Sequence, residues 1–151
     1  MSGRLALAAL VAALGGCLDP VEPEVGDPLR PLCSDEDSNL DTDVSFIDDV
    51  AGIFEREDLG CRDCHTSSGA SPIGVRVSGL SLSSYNSLRR GGDESGQAIV
   101  VPGQPCASIL LQKVGQAPPF GARMPLDGPP FLTAEERQVI ADWIAEGAED
   151  D

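Results

Sequence analysis

The sequence predicts an all-α domain over residues 44–151, because apolar residues recur at helical spacing near both ends of this region. Near its start, four apolar residues line one helical face: Val44, Ile47, Ala51 and Phe54. Near its end, Thr133 and Glu136 have the spacing of a capping box, in which each side chain binds the other residue's backbone N–H. We therefore expect one helix at each end of the domain.

The apolar face of the C-terminal helix comprises Val139, Ile140, Trp143 and Ile144. Gly147 lies where this helix should end. Because each terminal helix carries an aromatic residue in its apolar face, we expect Phe54 to pack against Trp143, which is then a core residue.

Shorter elements are predicted between the terminal helices. A helix over residues 83–88 should end at Gly91-Gly92, and another should cover residues 106–114. Residues 66–79 are rich in Gly and Ser and are predicted to form a loop, with a brief strand where Val75 and Val77 alternate. Residues 117–130 include five prolines and can form neither regular helix nor sheet.

Residues 1–17 are predicted to be a lipoprotein signal peptide. Arg4 precedes an apolar run that leads to Leu14-Gly15-Gly16-Cys17, and a run of about 10 residues is too short to cross a bilayer, which needs roughly 20. The ending resembles the lipobox of bacterial lipoproteins, in which cleavage leaves the cysteine as the first residue. This resemblance implies that Cys17 is lipidated and anchors the protein. The alternative is an ordinary cleaved signal.

Residues 18–43 are predicted to be a solvated tether, because they contain four prolines, nine acidic residues and one basic residue. The chain has a net charge of −15. This charge argues against nucleic acid as a partner, because phosphates require basic patches. It also disfavours electrostatic adhesion to anionic lipid, and it would steer the protein toward positively charged redox partners.

The spacing Cys61-x-x-Cys64-His65 predicts covalent attachment of one haem c. In such a site both thiols add to the vinyl groups of the porphyrin, and the adjacent imidazole reaches the iron. His65 is the only histidine in the chain, and we expect it to be the proximal ligand. Gly60 is expected to end the preceding helix, so that the chain can turn tightly into the motif.

Met124 is predicted to bind the other face of the iron. It is the only methionine besides Met1, which would leave with the signal peptide, and it lies in the proline-rich segment. A thioether ligand favours ferrous iron and so raises the reduction potential. The alternatives are a methionine that only fills the core, Lys113 as the ligand, and an open sixth position.

Two cysteines remain, Cys33 and Cys106, and in an oxidising compartment they can form one disulfide. The alternative is that both thiols stay free.

Zinc and dithiol chemistry compete with haem at Cys61 and Cys64. Structural zinc needs four protein ligands, and the chain has no second C-x-x-C pair and no second histidine. A thioredoxin-like dithiol would follow a hydrophobic strand, whereas residues 55–60 are charged and follow a predicted helix.

Residues 46–148 resemble the class I monohaem cytochrome c family, in particular the cytochrome c-like domains of bacterial exported proteins and lipoproteins. The matching motifs are Gly60-Cys61-x-x-Cys64-His65, Gly79-Leu80-x-Leu82-x-x-Tyr85-x-x-Leu88, Val101-Pro102-Gly103, Ser108-x-Leu110, Arg123-Met124-Pro125 and Asp142-Trp143-Ile144-x-x-Gly147-Ala148. The resemblance implies a helical shell around one haem, with His65 and Met124 as axial ligands.

These features predict a carrier of single electrons between redox partners, and not an enzyme, anchored by lipid on the periplasmic side of the bacterial envelope. Leu18 follows Cys17 where inner-membrane lipoproteins carry aspartate, which favours the outer membrane. Two other functions are compatible with the sequence. One is a five-coordinate haem enzyme or a sensor of peroxide or gas, and the other is a haem-bearing accessory subunit of a larger redox complex.

Overall fold

Six short α-helices build the part of the chain that the structure, a computed structural model, describes, namely residues 33–151. They are α1 (Ala51–Glu55), α2 (Cys61–His65), α3 (Ile73–Ser78), α4 (Tyr85–Arg90), α5 (Ile109–Val114) and α6 (Ala134–Ala145). Single 3₁₀ turns occur at Asp35–Asp37, Gly96–Ile99 and Pro105–Ala107, and a π-helical turn at Phe46–Val50 leads into α1. No β-strand occurs between residues 33 and 151, and the predicted all-α class is confirmed.

The N-terminal helical segment packs against α6, but with a different face from the predicted one. Ile47 is 63% exposed, whereas Phe46, Val50, Ile53 and Phe54 are buried. The π-helical turn accounts for the difference, because its hydrogen bonds span one more residue than those of an α-helix and rotate the following side chains. The aromatic partners of Trp143 are Phe46, at 5.3 Å between ring centroids, and Tyr85, at 6.4 Å, and not Phe54.

The C-terminal helix α6 begins with the predicted capping box, which is confirmed. The Thr133 hydroxyl accepts the N–H of Glu136 at 3.2 Å, and the Glu136 carboxylate accepts the N–H of Thr133 at 2.8 Å. Trp143 is 1% exposed and donates its indole N–H to the carbonyl of Glu149 at 3.0 Å. Its assignment to the core is therefore confirmed.

The middle of the chain is more helical than the sequence pattern predicted. The predicted loop is confirmed over residues 66–72, but the expected brief strand at Val75 and Val77 was wrong, because residues 73–78 form α3. Pro72 at its N-cap and Gly79 at its C-cap, with φ of 69°, are helix start and stop signals that outweigh two alternating valines. The predicted helix over 106–114 is divided at Ser108 into a 3₁₀ turn and α5.

Residues 33–43, the end of the predicted tether, lie against the domain in the structure. We call this segment the strap. The backbone N–H of Asn39 in the strap donates to the carboxylate of Asp142 in α6 at 2.6 Å. The side-chain amide of Gln138 in α6 donates to the carbonyl of Asp37 in the strap at 2.9 Å. A disulfide joins Cys33 to Cys106, with 5.6 Å between their Cα atoms. Acidic composition suggested a free chain, but the strap both donates to and accepts from α6, and the Asp35 carboxylate accepts the N–H of Cys106 at 2.7 Å.

Glu146 makes the largest set of bonds to the strap. Its carboxylate accepts the backbone N–H groups of Thr42, Asp43 and Val44 and the Thr42 hydroxyl, at 2.6 to 3.1 Å. Burial alone would raise the pKa of Glu146, but these hydrogen bonds outweigh it and hold the pKa below its usual range. The charged form of Glu146 therefore stabilises the docked strap.

The predicted signal peptide, the lipidation site at Cys17 and the tether up to residue 32 lie outside the described residues. From residue 33 onward, no helix is both long enough and apolar enough to cross a membrane.

Candidate functional site

Helix α2 presents Cys61, Cys64 and His65 within a single segment of five residues. Gly60, with φ of 60°, is its N-cap. The expectation that Gly60 ends the preceding helix was wrong, since α1 ends at Glu55 and a turn intervenes. Left-handed backbone suits glycine because it has no Cβ. The tight entry into the motif therefore comes from a turn that is separate from α1.

Both motif cysteines are free thiols and half-buried. Burial is the main cause that raises the pKa of the Cys61 thiol to about 11. Within residues 33–151, one set of three Cys, His, Asp or Glu side chains brings its ligand atoms within 4.8 Å of one another, and it consists of Cys33, Asp35 and Cys106. Two of these are disulfide-bonded, and Cys61, Cys64 and His65 do not converge in this way.

The imidazole of His65 is held by one backbone bond. Its Nδ1 donates to the carbonyl of Leu80 at 3.1 Å, because a carbonyl can only accept. This bond leaves Nε2 as the nitrogen that can ligate iron. Burial lowers the pKa of His65, and the charge of Lys113 lowers it further, against the opposing effect of the Leu80 bond. The ring is therefore neutral at pH 7, which is the form that binds metals.

The segment that supplies Leu80 is itself fastened to α2. Leu82 donates its N–H to the carbonyl of His65 at 2.7 Å, so residues 80–82 bond to both the backbone and the ring of the same histidine. Asp93 donates its N–H to the carbonyl of Ser78 at 2.7 Å. The Leu80 carbonyl that bonds the ring is thus held in place by backbone bonds of its own segment to α2 and to Asp93.

Met124 lies half-buried in the proline-rich loop, packed against the hydrophobic core that Cys61, Leu80 and Leu82 also contact. Its N–H donates to the carbonyl of Lys113 at 2.8 Å. Arg123 beside it donates to the carbonyl of Val114 at 3.3 Å. The loop around Met124 is therefore attached to the end of α5, although it has no regular secondary structure.

Lys113 also attaches this loop through its side chain. Its ammonium donates to the carbonyls of Phe120, at 2.8 Å, and Ala122, and lies 5.0 Å from the centroid of the Phe120 ring. Burial lowers the pKa of Lys113. As an alternative iron ligand it would have to break both bonds, so the structure favours a role in holding the loop that presents Met124.

The residues present fit a haem. The His65 ring has Nδ1 satisfied, and the two thiols are unpaired. Three of the five large apolar side chains that are exposed within residues 33–151 belong to segments that flank the candidate ligands: Ile73 and Val77 on α3, and Leu126 after Met124. These apolar side chains are of the kind that a porphyrin, which is largely apolar, would need around it. The sequence did not predict that the Leu80 carbonyl bonds to His65, because a backbone carbonyl has no side-chain signature.

One family model matches the chain, the model described as planctomycete cytochrome C, over residues 61–125. The match begins at the first motif cysteine and ends just after Met124. It supports a cytochrome c-like family, which implies haem c and suggests a role in electron transfer. The comparison with curated proteins and the comparison with solved structures each found no match.

Proposed function

We propose that this protein is an exported, membrane-anchored haem c protein that carries single electrons between protein partners. The observation that carries the proposal is the placement of His65: its Nδ1 is bonded to the Leu80 carbonyl, which leaves Nε2 for a metal, and it directly follows two free thiols at the attachment spacing. The family match over the same residues supports it.

Each candidate residue has a definite task in this proposal. Cys61 and Cys64 would bind the porphyrin as thioethers, and His65, through Nε2, and Met124 would be the ligands of the iron. When bound, the haem supplies an iron that changes reversibly between the ferrous and ferric states.

The chain's own contribution is to keep both ligands still during this change. The Leu80 carbonyl prevents rotation of the His65 ring. The bond of Lys113 to the loop carbonyl of Phe120 and the bond of Arg123 to the Val114 carbonyl of α5 restrain Met124. Restrained ligands favour six-coordination in both oxidation states, so electron transfer requires little rearrangement of the protein. These restraints on His65 and Met124 favour a carrier over a five-coordinate enzyme or sensor.

The location and the partners follow from the sequence. Lipidation at Cys17 would hold the protein at the periplasmic side of the envelope, and the leucine that follows favours the outer membrane. The net charge of −15 favours a redox partner with a basic docking surface. Residues 18–32 would act as the spacer between the membrane and the strap.

Met124→Ala tests the ligand assignment in the full chain, produced in a host that attaches haem c. We expect the haem to remain covalently bound, the charge-transfer absorption of ferric iron–thioether ligation to disappear, and the midpoint potential to fall. Gln116→Ala is the matched control, because Gln116 is exposed in the same loop. A Met124→Ala protein with the spectrum and potential of the control would contradict the assignment, and a wild-type protein without haem would refute the proposed function.

A further inference from the structure

Gly74 in helix α3 lies against the edge of the His65 ring that carries Nε2. A Cβ atom at position 74 would stand 2.8 Å from His65 Nε2, 2.8 Å from His65 Cε1 and 2.8 Å from the Cys64 carbonyl oxygen. A carbon atom cannot approach its neighbours so closely without displacing them. Glycine inside a helix is less favourable than alanine, so helix formation does not explain this residue.

We propose that Gly74 is a positioning residue for the iron ligand. Because it has no side chain, α3 can approach α2 closely without displacing the Nε2 edge of the ring, through which His65 would bind iron. This inference rests on the proposed function, in which His65 ligates the iron. The segment from Gly74 to Leu80 would then control the imidazole at two points, with the backbone of Gly74 packed at the Nε2 edge and a hydrogen bond at Nδ1.

The surroundings of Gly74 leave an added methyl group little room. The Gly74 carbonyl accepts the Ser78 hydroxyl at 2.7 Å, and Gly79 donates its N–H to the carbonyl of Val75 at 2.9 Å. One obstructing atom belongs to the backbone of Cys64 and the others to a ring held by Leu80. The methyl group could be accommodated only by moving the ring or by separating α3 from α2.

Two other glycines provide matched controls for the substitution Gly74→Ala. Gly52 lies in α1, and a Cβ there would meet no atom within 4 Å. Gly69 lies in the loop before α3, and a Cβ there would stand 2.2 Å from the carbonyl oxygen of Asp63 and 2.7 Å from that of Arg62. Gly69→Ala thus strains the backbone of α2 without touching the His65 ring.

The test compares Gly52→Ala, Gly69→Ala and Gly74→Ala in the haem-loaded full chain. Because His65 is the only histidine in the chain, ¹⁵N-labelled histidine reports its two ring nitrogens alone. In the Gly74→Ala protein we expect a shifted His65 Nε2 resonance, loss of most of the low-spin ferric absorption spectrum of the haem, and a changed midpoint potential. We expect the Gly69→Ala protein to have a lower Tm and the wild-type ferric spectrum. We expect the Gly52→Ala protein to have the wild-type Tm and the wild-type ferric spectrum.

Ferric spectra that are the same in Gly74→Ala and Gly69→Ala would overturn the inference while leaving the proposed function intact. A wild-type protein whose Nε2 does not bind iron would refute the proposed function itself. If Gly74→Ala does not accumulate, proton NMR of ferrous wild-type protein provides a second test. A nuclear Overhauser effect between His65 Hε1 and the Gly74 Hα protons supports the inference, and its absence overturns it.

Discussion

Removal of the Cys33–Cys106 disulfide should lower the stability of the protein substantially. The bond closes a loop with a sequence separation of 73 residues. In the chain-entropy model, a loop of this length restricts the unfolded chain enough to stabilise the fold by about 4 kcal/mol at 25 °C. For a domain of about 120 residues, 1 kcal/mol corresponds to about 4 °C in Tm. The double variant Cys33→Ser/Cys106→Ser should therefore melt roughly 15 °C below the wild type.

The effect should come mainly from the unfolded chain, because Asp142 and Glu146 also hold the strap in the folded protein. We would measure Tm by circular dichroism of the haem-loaded protein with and without dithiothreitol. The iron is kept ferrous by ascorbate in every sample, so that dithiothreitol changes only the disulfide. The wild type in dithiothreitol should melt like the double variant, and the double variant should be insensitive to the reductant.

A difference in Tm of less than about 4 °C between the oxidised wild type and the double variant would refute this reasoning, because it corresponds to only about 1 kcal/mol. Such a result would mean that the unfolded chain is little restricted by the cross-link. The haem spectrum is the internal control, since neither cysteine belongs to α2.

Three further substitutions test the packing and the strap. Glu146→Gln should lower the free energy of unfolding by about 1–2 kcal/mol at pH 7, because the carboxylate accepts four hydrogen bonds from the strap. The lowered pKa of Glu146 means that this stabilisation is present above the unfolded pKa of about 4.3 and is lost as the pH falls through the pKa of the folded state. The difference in unfolding free energy between Glu146→Gln and the wild type should therefore narrow below about pH 4. A difference that stays constant down to pH 3 would contradict this role. Leu88→Ala should cost about 3 kcal/mol in denaturant unfolding, because Leu88 is 0% exposed; a cost below about 1 kcal/mol would mean that the site collapses around the cavity. Tyr85→Phe should cost about 1 kcal/mol, because it removes the hydroxyl that donates to the Ala148 carbonyl at 2.7 Å and keeps the ring contacts; an unchanged denaturation midpoint would show that the hydroxyl bond adds nothing.

Much of the candidate site can be predicted from the sequence, because its chemistry depends on residue types at fixed short spacing. The motif Cys61-x-x-Cys64-His65 keeps its meaning in any helical context, and a single histidine leaves one choice for the proximal ligand. The capping box at Thr133 and Glu136 is equally local, and it forms as predicted.

The spacing of apolar residues predicted the structure less reliably at the N-terminal helical segment and at α3. Ile47 fitted the apolar pattern but is exposed, since a π-helical turn changes the register of the side chains that follow. Val75 and Val77 alternate as in a strand, but Pro72 and Gly79 delimit a helix there. In both places a hydrogen-bonding pattern of the backbone overrode the spacing of the side chains.

The sequence by itself determined which residues can attach and ligate a haem, because thiol, imidazole and thioether are properties of side chains. Only the tertiary structure decided how these residues are held. Three features depend on backbone atoms or on partners far apart in the chain: the Leu80 carbonyl that orients His65, the close packing of Gly74 on the His65 ring, and the docking of the strap on α6. Backbone groups are the same in every residue, so only the folded chain can show which of them meet.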